Sequence, residues 1–180
     1  MVVNGLRFNK LLDHEKIQSR IRHLARKINK DYKGKDPLFI VVLNGAFMFA
    51  SDLLKEISTQ SRVSFIKLSS YRDMESSGNV KQLIGLNENI FNQHIVIVED
   101  IIDTGTTIRK LLEEMETLGA ASVKLVSLLS KKKPDPFEFT IDYCAFEIAD
   151  EFVVGYGMDY NGAGRNIKHI YVRKDIKKGK

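Results

Sequence analysis

The residues with the clearest chemical potential follow an apolar segment near the middle of the chain. This segment, His94 to Val98, has strand composition and leads directly into the carboxylates Glu99 and Asp100. Asp103 and three threonines around Gly105 come next, and a helical pattern begins only after them. Carboxylates accept hydrogen bonds from sugar hydroxyls, whereas hydroxyls and backbone N–H groups at a helix N-terminus bind phosphate. A phosphorylated sugar is therefore the ligand that this pattern favours.

Simpler interpretations of the same residues exist. Glu99 and Asp100 could be solvated acids at a strand end, and Asp103 or Thr104 could merely cap the following helix. Adjacent strand residues point to opposite faces, so one ligand reaches both Glu99 and Asp100 only if the strand turns there. A cap explains one residue of the segment from Asp103 to Thr107 but not all five. We therefore favour a phosphate-binding loop.

The composition predicts a single soluble domain over residues 1–180. Apolar residues make up 43% of the chain, and no apolar run approaches the roughly 18–20 residues of a membrane span. The single cysteine, Cys144, cannot form an internal disulfide, and the first residues lack the order of a signal peptide, so we expect a cytoplasmic protein. The net charge of +5 is compatible with nucleic acid, a membrane surface or small polyanions as partners. Part of this charge lies in the triplet from Lys131 to Lys133, which follows an apolar strand and could present one lysine inward.

Periodicity predicts alternating strands and helices. Helical spacing covers residues 13–30, 47–57 and 108–118, and apolar runs predict strands at 38–43, 62–69, 94–98, 122–129 and 143–148. This alternation is typical of an α/β domain with a mostly parallel sheet, in which ligands bind at the carboxyl ends of the strands. Polar clusters follow strands at residues 44–46, 69–79, 99–107, 130–133 and 159–165. The polar segment 70–79 is either a mobile lid or a hairpin tip.

The segment from Val98 to Thr107 resembles the phosphoribosyl-pyrophosphate (PRPP) signature of type I phosphoribosyltransferases. Further segments resemble the hypoxanthine-guanine branch of that family: Ser70-Tyr71 its flexible-loop dipeptide, Lys131 its purine lysine, Phe152 to Tyr160 its purine and magnesium segment, and Arg165 its pyrophosphate arginine. The similarity runs from about Leu38 to Arg173. It implies a central, mostly parallel sheet flanked by helices, with a small hood formed by the N- and C-terminal segments.

The resemblance also implies a role for each matching residue. It assigns PRPP to Glu99, Asp100, Asp103, Thr104, Gly105, Thr106 and Thr107, pyrophosphate to Asn44, Gly45 and Arg165, and the purine to Lys131, Phe152, Val153 and Asp159. Asp103 would be the catalytic base or a hydrogen-bond partner of purine N7. Mg²⁺ is the implied cofactor, with Glu99, Asp100 and Asp159 as its ligands. Asn44 is a departure, because the family commonly carries lysine there.

The activity implied by the resemblance is purine salvage, in which a 6-oxopurine and PRPP yield IMP or GMP and pyrophosphate. A preference for xanthine is one alternative. Another is a regulator on the same fold that senses nucleotides and binds RNA through its basic surface. The presence of Asp103, Lys131 and Asp159 together favours the enzyme, so neither nucleic acid nor a membrane is expected as a partner. A homodimer or homotetramer is implied by the family.

Overall fold

The structure is a computed structural model that describes residues 1–69, 81–84 and 88–173. Its strands are β1 (Val2–Val3), β2 (Leu6–Leu12), β3 (Leu38–Leu43), β4 (Arg62–Ser69), β5 (Lys81–Ile84), β6 (His94–Ile102), β7 (Ser122–Lys131), β8 (Tyr143–Ile148), β9 (Val153–Val154) and β10 (Ile170–Arg173). Its helices are α1 (His14–Asp31), α2 (Phe47–Lys55) and α3 (Thr106–Thr117).

The larger sheet has the strand order β5-β4-β3-β6-β7-β8. All neighbouring strands are parallel except β5, which pairs with β4 in the antiparallel direction. The chain passes from β3 to β4 on one side and then returns to place β6 on the other side of β3. Such a switch point leaves a crevice at the carboxyl ends of the two strands, where open α/β sheets bind their ligands.

Helices cover both faces of this sheet because its strands are apolar on both sides. On one face, Ile21 of α1 and Phe49 of α2 belong to the same buried cluster as Val98 of β6. On the other face, Leu111 of α3 is buried with Ile97. Consecutive residues of β6 therefore serve opposite cores, as the pleat requires.

A second, four-stranded antiparallel sheet in the order β1-β2-β10-β9 forms the hood. Its strands come from the two ends of the chain, and Phe8 and Val154 are buried in its own small cluster. The hood also contributes Val153, Tyr156 and Met158 to the core on the α1 side of the large sheet. It is thus packed against the sheet edge that carries the strand ends.

The predicted α/β architecture, with a mostly parallel sheet and a hood from the terminal segments, is confirmed. Helix α1 begins after Asp13, whose carboxylate accepts a hydrogen bond from the Lys16 N–H, as an N-cap does. The sequence did not predict β1, β2, β5, β9 or β10, and β6 and β7 are longer than expected. The predicted lid or hairpin tip falls largely outside the described residues. Among the described helices, none has the length and apolar character that crossing a membrane requires.

Replacing Ile21 by alanine tests whether α1 is held by its apolar face. Ile21 is fully buried against the sheet, so Ile21→Ala should lower the free energy of unfolding by about 2–5 kcal/mol. Arg22→Ala is the matched control, since its side chain is exposed on the same helix; it should change stability by no more than about 0.5 kcal/mol. Urea unfolding followed by circular dichroism measures both. Equal effects would contradict the packing described here.

Candidate active site

A cleft of about 220 Å³ lies between the carboxyl edge of the large sheet and the hood. We call it the main cleft. Eight of the predicted site residues line it: Gly45, Asp100, Asp103, Lys131, Phe152, Val153, Asp159 and Arg165. Ile101, Glu151 and Met158, which the sequence did not single out, complete its wall. Residues from three strand ends and from the hood therefore meet in one place.

Two glycines allow the sheet and the hood to approach each other at this cleft. A Cβ atom on Gly45 would overlap with the carboxylate of Asp100, and one on Gly157 would overlap with the carbonyl oxygen of Gly45. Gly157 also has a φ of 100°, a conformation that side chains rarely adopt. Both positions thus need glycine for close contact, and the contact places the hood directly over the turn after β3.

Asp103 and Lys131 belong to a closed group of four charged side chains, which we call the ion-pair ring. Its other two members are Lys133 and Asp150. Lys131 Nζ lies 3.0 Å from Asp103 Oδ2 and 3.0 Å from Asp150 Oδ1. Lys133 Nζ lies 3.2 Å from Asp103 Oδ1 and 2.9 Å from Asp150 Oδ2. Each carboxylate oxygen therefore has one lysine partner. Burial alone would raise the pKa of Asp103, but hydrogen bonds from both lysines outweigh it and hold that pKa below its usual value.

The sequence identified half of the ion-pair ring and missed the other half. Lys131 and Lys133 both turn toward Asp103, whereas Lys132 points away, with an exposed side chain. Residues i and i+2 of an extended chain point to the same side. The alternation could therefore have predicted two inward lysines, whereas one was predicted from the sequence. Nothing in the sequence around Asp150 marked it as their partner.

Asp100 and Glu99 are buried carboxyl groups, and burial is the main influence on the pKa of each. Burial raises the pKa of Asp100 to about 6, and backbone hydrogen bonds and Arg165 offset this only in part. Burial, followed by the neighbouring charge of Asp100, raises the pKa of Glu99 well above its usual range. Glu99 does not line the main cleft, and within the described part of the chain its buried Oε2 has no hydrogen-bond partner. Its predicted contacts with ribose and metal stay predictions.

The hood contributes an ion pair of its own. Arg165 Nη2 lies 2.6 Å from Asp159 Oδ1, and Arg165 Nη1 donates to the Gly157 carbonyl at 2.8 Å. Asp159 Oδ2 accepts a hydrogen bond from the Gly162 N–H. These contacts hold a guanidinium and a carboxylate side by side at the wall of the main cleft, which Asp100 also lines.

The threonine loop opens into a neighbouring cavity of about 480 Å³, which we call the second cavity. Thr104, Gly105 and Thr106 line it together with the cations of Arg109 and Lys133. Gly105, with a φ of 78°, occupies the N-cap position of α3 and provides no side-chain cap. The hydroxyls of Thr104 and Thr106 lie 3.3 Å from each other at this helix start, and Lys133 connects the second cavity to Asp103 in the main cleft.

An exposed aromatic ring borders the main cleft. Phe152 remains 43% exposed although it lies beside Tyr160, whose ring meets it edge-on with centroids 5.6 Å apart. The following residue, Val153, lies on β9, the edge strand of the hood sheet. A planar ligand could thus stack on Phe152 while an edge strand runs beside it.

Two further predicted residues that the structure describes do not line the main cleft. Asn44 is exposed and does not line it, although the neighbouring Gly45 does. Thr107 is half-buried in the first turn of α3 and lines neither cavity. Ser70 and Tyr71, the predicted flexible-loop dipeptide, fall outside the described residues.

Comparison with known proteins shows the family of the chain. Residues 8–161 match the family of the phosphoribosyl transferase domain. The hypoxanthine-guanine phosphoribosyltransferase of Streptococcus pneumoniae is 39% identical over 168 residues, which are 92% of this chain and 92% of that protein. The chain belongs to the hypoxanthine-guanine phosphoribosyltransferase family.

Two further members show how this family relates to the chain in length and structure. A bifunctional TilS/HprT protein of Listeria monocytogenes is 39% identical over 91% of this chain, which spans about a quarter of that longer relative (26%). A solved structure of a hypoxanthine phosphoribosyltransferase mutant from Trypanosoma cruzi, complexed with the product IMP, is 35% identical and superposes with a TM-score of 0.87 over 97% of this chain and 95% of that one. The predicted type I phosphoribosyltransferase fold is confirmed.

A pair of glycine substitutions tests the contact between the hood and the sheet. Gly157→Ala adds a Cβ against the Gly45 carbonyl at a positive φ, whereas Gly162→Ala also has a positive φ (81°) but meets nothing within 4 Å. Gly162→Ala should lower stability by about 1–2 kcal/mol from the backbone conformation alone. Gly157→Ala should lose about 1–3 kcal/mol more from the clash. Thermal unfolding of both variants measures the difference, and equal losses would contradict the close contact.

Proposed function

We propose that the protein transfers the 5-phosphoribosyl group of PRPP to N9 of hypoxanthine or guanine, which yields IMP or GMP and releases pyrophosphate. The observation that carries this proposal is the main cleft, in which the carboxylate of Asp103, paired with Lys131, faces the same space as the exposed ring of Phe152. These three groups match the needs of a 6-oxopurine: a hydrogen-bond donor for the oxo group, a carboxylate for a ring nitrogen and a surface for stacking.

The purine half of the reaction falls to the residues between the sheet and the hood. Lys131 donates to the 6-oxo oxygen, Phe152 stacks on the ring, and the backbone at Val153 reads its edge. As N9 bonds to C1′, the purine must lose a proton. Asp103, which the lysines keep ionised, accepts that proton or holds N7 by a hydrogen bond. A positioned base of this kind contributes about 10²- to 10⁴-fold to the rate.

The sugar-phosphate half falls to the strand ends and the threonine loop. Asp100 accepts hydrogen bonds from the ribose hydroxyls, and the loop from Thr104 to Thr107 at the start of α3 binds the 5′-phosphate. As the bond from C1′ to the pyrophosphate oxygen breaks, positive charge develops on the ribose and negative charge on the leaving group. Arg165 and the turn at Gly45 line the same cleft, and they take up the negative charge.

Magnesium suits the donor set of the main cleft. Mg²⁺ prefers oxygen ligands and is held by one or two carboxylates together with substrate phosphates and water. Asp100 and Asp159 both line the cleft, so we propose that they hold the ion with help from the pyrophosphate of PRPP. When bound, the ion would neutralise the leaving group. Within the described residues, no group of three or more His, Cys, Asp or Glu side chains is arranged to hold a metal ion.

A single assay tests the proposed activity. PRPP and magnesium are mixed separately with hypoxanthine, guanine, xanthine and adenine, and absorbance follows nucleotide formation. Hypoxanthine and guanine should be converted, and adenine, which lacks the 6-oxo group, should not. If xanthine were converted fastest, it would replace hypoxanthine and guanine as the proposed substrate. No turnover with any base would overturn the proposal. Salt-sensitive RNA binding in that last case would favour the regulator.

Asp103→Asn tests the assignment of the base. The variant keeps size and one acceptor but removes the negative charge, so turnover should fall by about 10²- to 10⁴-fold. Binding of PRPP, measured by calorimetry, should change far less. A loss of PRPP binding as large as the loss of turnover would remove the assigned role.

Lys131→Ala tests recognition of the 6-oxo group. The variant removes the donor inside the cleft, so KM for hypoxanthine and guanine should rise about 10-fold or more, in line with the loss of a hydrogen bond from a charged group. Lys132→Ala is the matched control, because that neighbouring side chain is exposed and points away. Equal effects of the two substitutions would refute the assignment, and so would a wild-type preference for adenine.

Assembly and location stay predictions. We expect a homodimer or homotetramer, as the family resemblance implies, and a cytoplasmic location, for which the single cysteine is the argument. Size-exclusion chromatography with light scattering would determine the assembly.

A further inference from the structure

Two members of the ion-pair ring have no role in the transfer reaction as assigned above. Lys133 and Asp150 bind each other at 2.9 Å, and each also binds one of the residues assigned to the purine. Lys133 holds Asp103 Oδ1 at 3.2 Å, and Asp150 holds the Lys131 ammonium at 3.0 Å. They therefore stand behind the two groups that would contact the base.

We propose that Lys133 and Asp150 are positioning residues for the purine half of the site, acting through Asp103 and Lys131. This inference rests on the proposed function, since it assumes that a 6-oxopurine occupies the main cleft. It adds two residues that do not themselves touch the base.

Asp150 fixes the donor for the 6-oxo group. A lysine ammonium has three N–H donors, and in the ring two of them are directed to the carboxylates of Asp103 and Asp150. One donor of Lys131 is left for a ligand. Its side chain is only 11% exposed, so the two carboxylates and the cleft wall hold the ammonium in place. Without Asp150, one of the two anchors of that ammonium is gone.

Lys133 balances the charge around Asp103. The main cleft is otherwise acidic: Asp100, Asp159 and Glu151 line it together with a single further cation, Arg165, which is already paired with Asp159. Asp150 adds another carboxylate at the ring. If Lys133 were absent, Asp103 and Asp150 would share only Lys131. That ammonium would then be drawn between two carboxylates, and Asp103 would face more negative charge than positive.

The ring could instead serve only to fasten the segment after β7 to the segment before β9. In that case substitutions would change stability and leave catalysis as it is. Lys133 also lines the second cavity beside the threonine loop, so it could act on a phosphate. The experiment must therefore separate effects on the purine from effects on PRPP and on folding.

The first test is Lys133→Met, with Lys132→Met as the matched control and Lys133→Arg as the conservative variant. Lys133→Met should lower kcat/KM for hypoxanthine about 5- to 10-fold, the range for a partly exposed charged contact, with KM for PRPP unchanged. Lys133→Arg should restore most of the loss, and Lys132→Met should have no effect. A rise confined to KM for PRPP would assign Lys133 to the phosphate and overturn the proposal.

The pH profile supplies a readout that a structural role would not move. Asp103 acts in its ionised form, and Lys133 is one of the two cations that lower its pKa. Removing Lys133 raises that pKa, so the acid limb of kcat/KM that belongs to Asp103 should move to higher pH. Asp100, with a pKa of about 6, contributes a separate limb that should stay in place, so the two proteins are compared below that pH. If the Asp103 limb lies at the same pH in Lys133→Met as in the wild type, the proposal is contradicted.

The second test uses Asp150→Asn and the double variant with Lys133→Met. Asp150→Asn should raise KM for the purine several-fold. The double variant removes one charge of each sign, so its loss should be smaller than the product of the two single losses. Multiplicative losses, or losses seen only in thermal unfolding, would overturn the proposal. A wild-type protein inactive with every base would refute the proposed function as well, whereas active wild type with unaffected variants would refute this inference alone.

Discussion

The close contact between the turn after β3 and the hood loop fixes the geometry of the whole site. The Asp100 carboxylate lies against Gly45, and Gly157 lies against the Gly45 carbonyl, with no space for a side chain at either glycine. Next to this contact, the buried Tyr156 donates its hydroxyl to Asp52 of α2, which also accepts a hydrogen bond from Gln18 of α1. The hood loop is thus fastened to the sheet and to both helices of one face, and the main cleft is the space left beside it.

Two neighbouring carboxylates of this cleft differ in their electrostatic environment. Asp100 is buried without enough compensating charge, so its pKa rises to about 6. Asp103 is surrounded by Lys131 and Lys133, which lower its pKa. Environments that make the pKa values of two neighbouring acids differ in this way indicate separate roles. Asp100 is suited to a ligand that brings a cation or hydroxyl donors, and Asp103 is suited to staying ionised as a base beside a neutral ring.

The sequence predicted most of the sheet and the residues at its strand ends, because apolar runs and helical spacing record burial directly. Strands β3 and β4 have the predicted bounds, and Gly45, Asp100 and Lys131 meet where parallel topology requires. Among the missed hood strands, β1, β9 and β10 have four residues or fewer. Strand β2 is held in the hood sheet by pairing with β10 from the other end of the chain, which a local pattern does not record. Asp150 was missed for a related reason. Its place in the ion-pair ring depends on contacts with Lys131 and Lys133, which precede it by a strand and a loop, and no local pattern records such contacts.

The proposed function depends on a purine that binds in the main cleft, with Lys131 and Asp103 as its polar contacts. A crystal structure of the protein with IMP tests this most directly. In that structure the 6-oxo oxygen should lie within hydrogen-bond distance of Lys131 Nζ, the ring should stack on Phe152, and the 5′-phosphate should lie at the loop from Thr104 to Thr107. A purine bound in the second cavity, or a base in the main cleft that does not contact Lys131, would refute the assigned purine site.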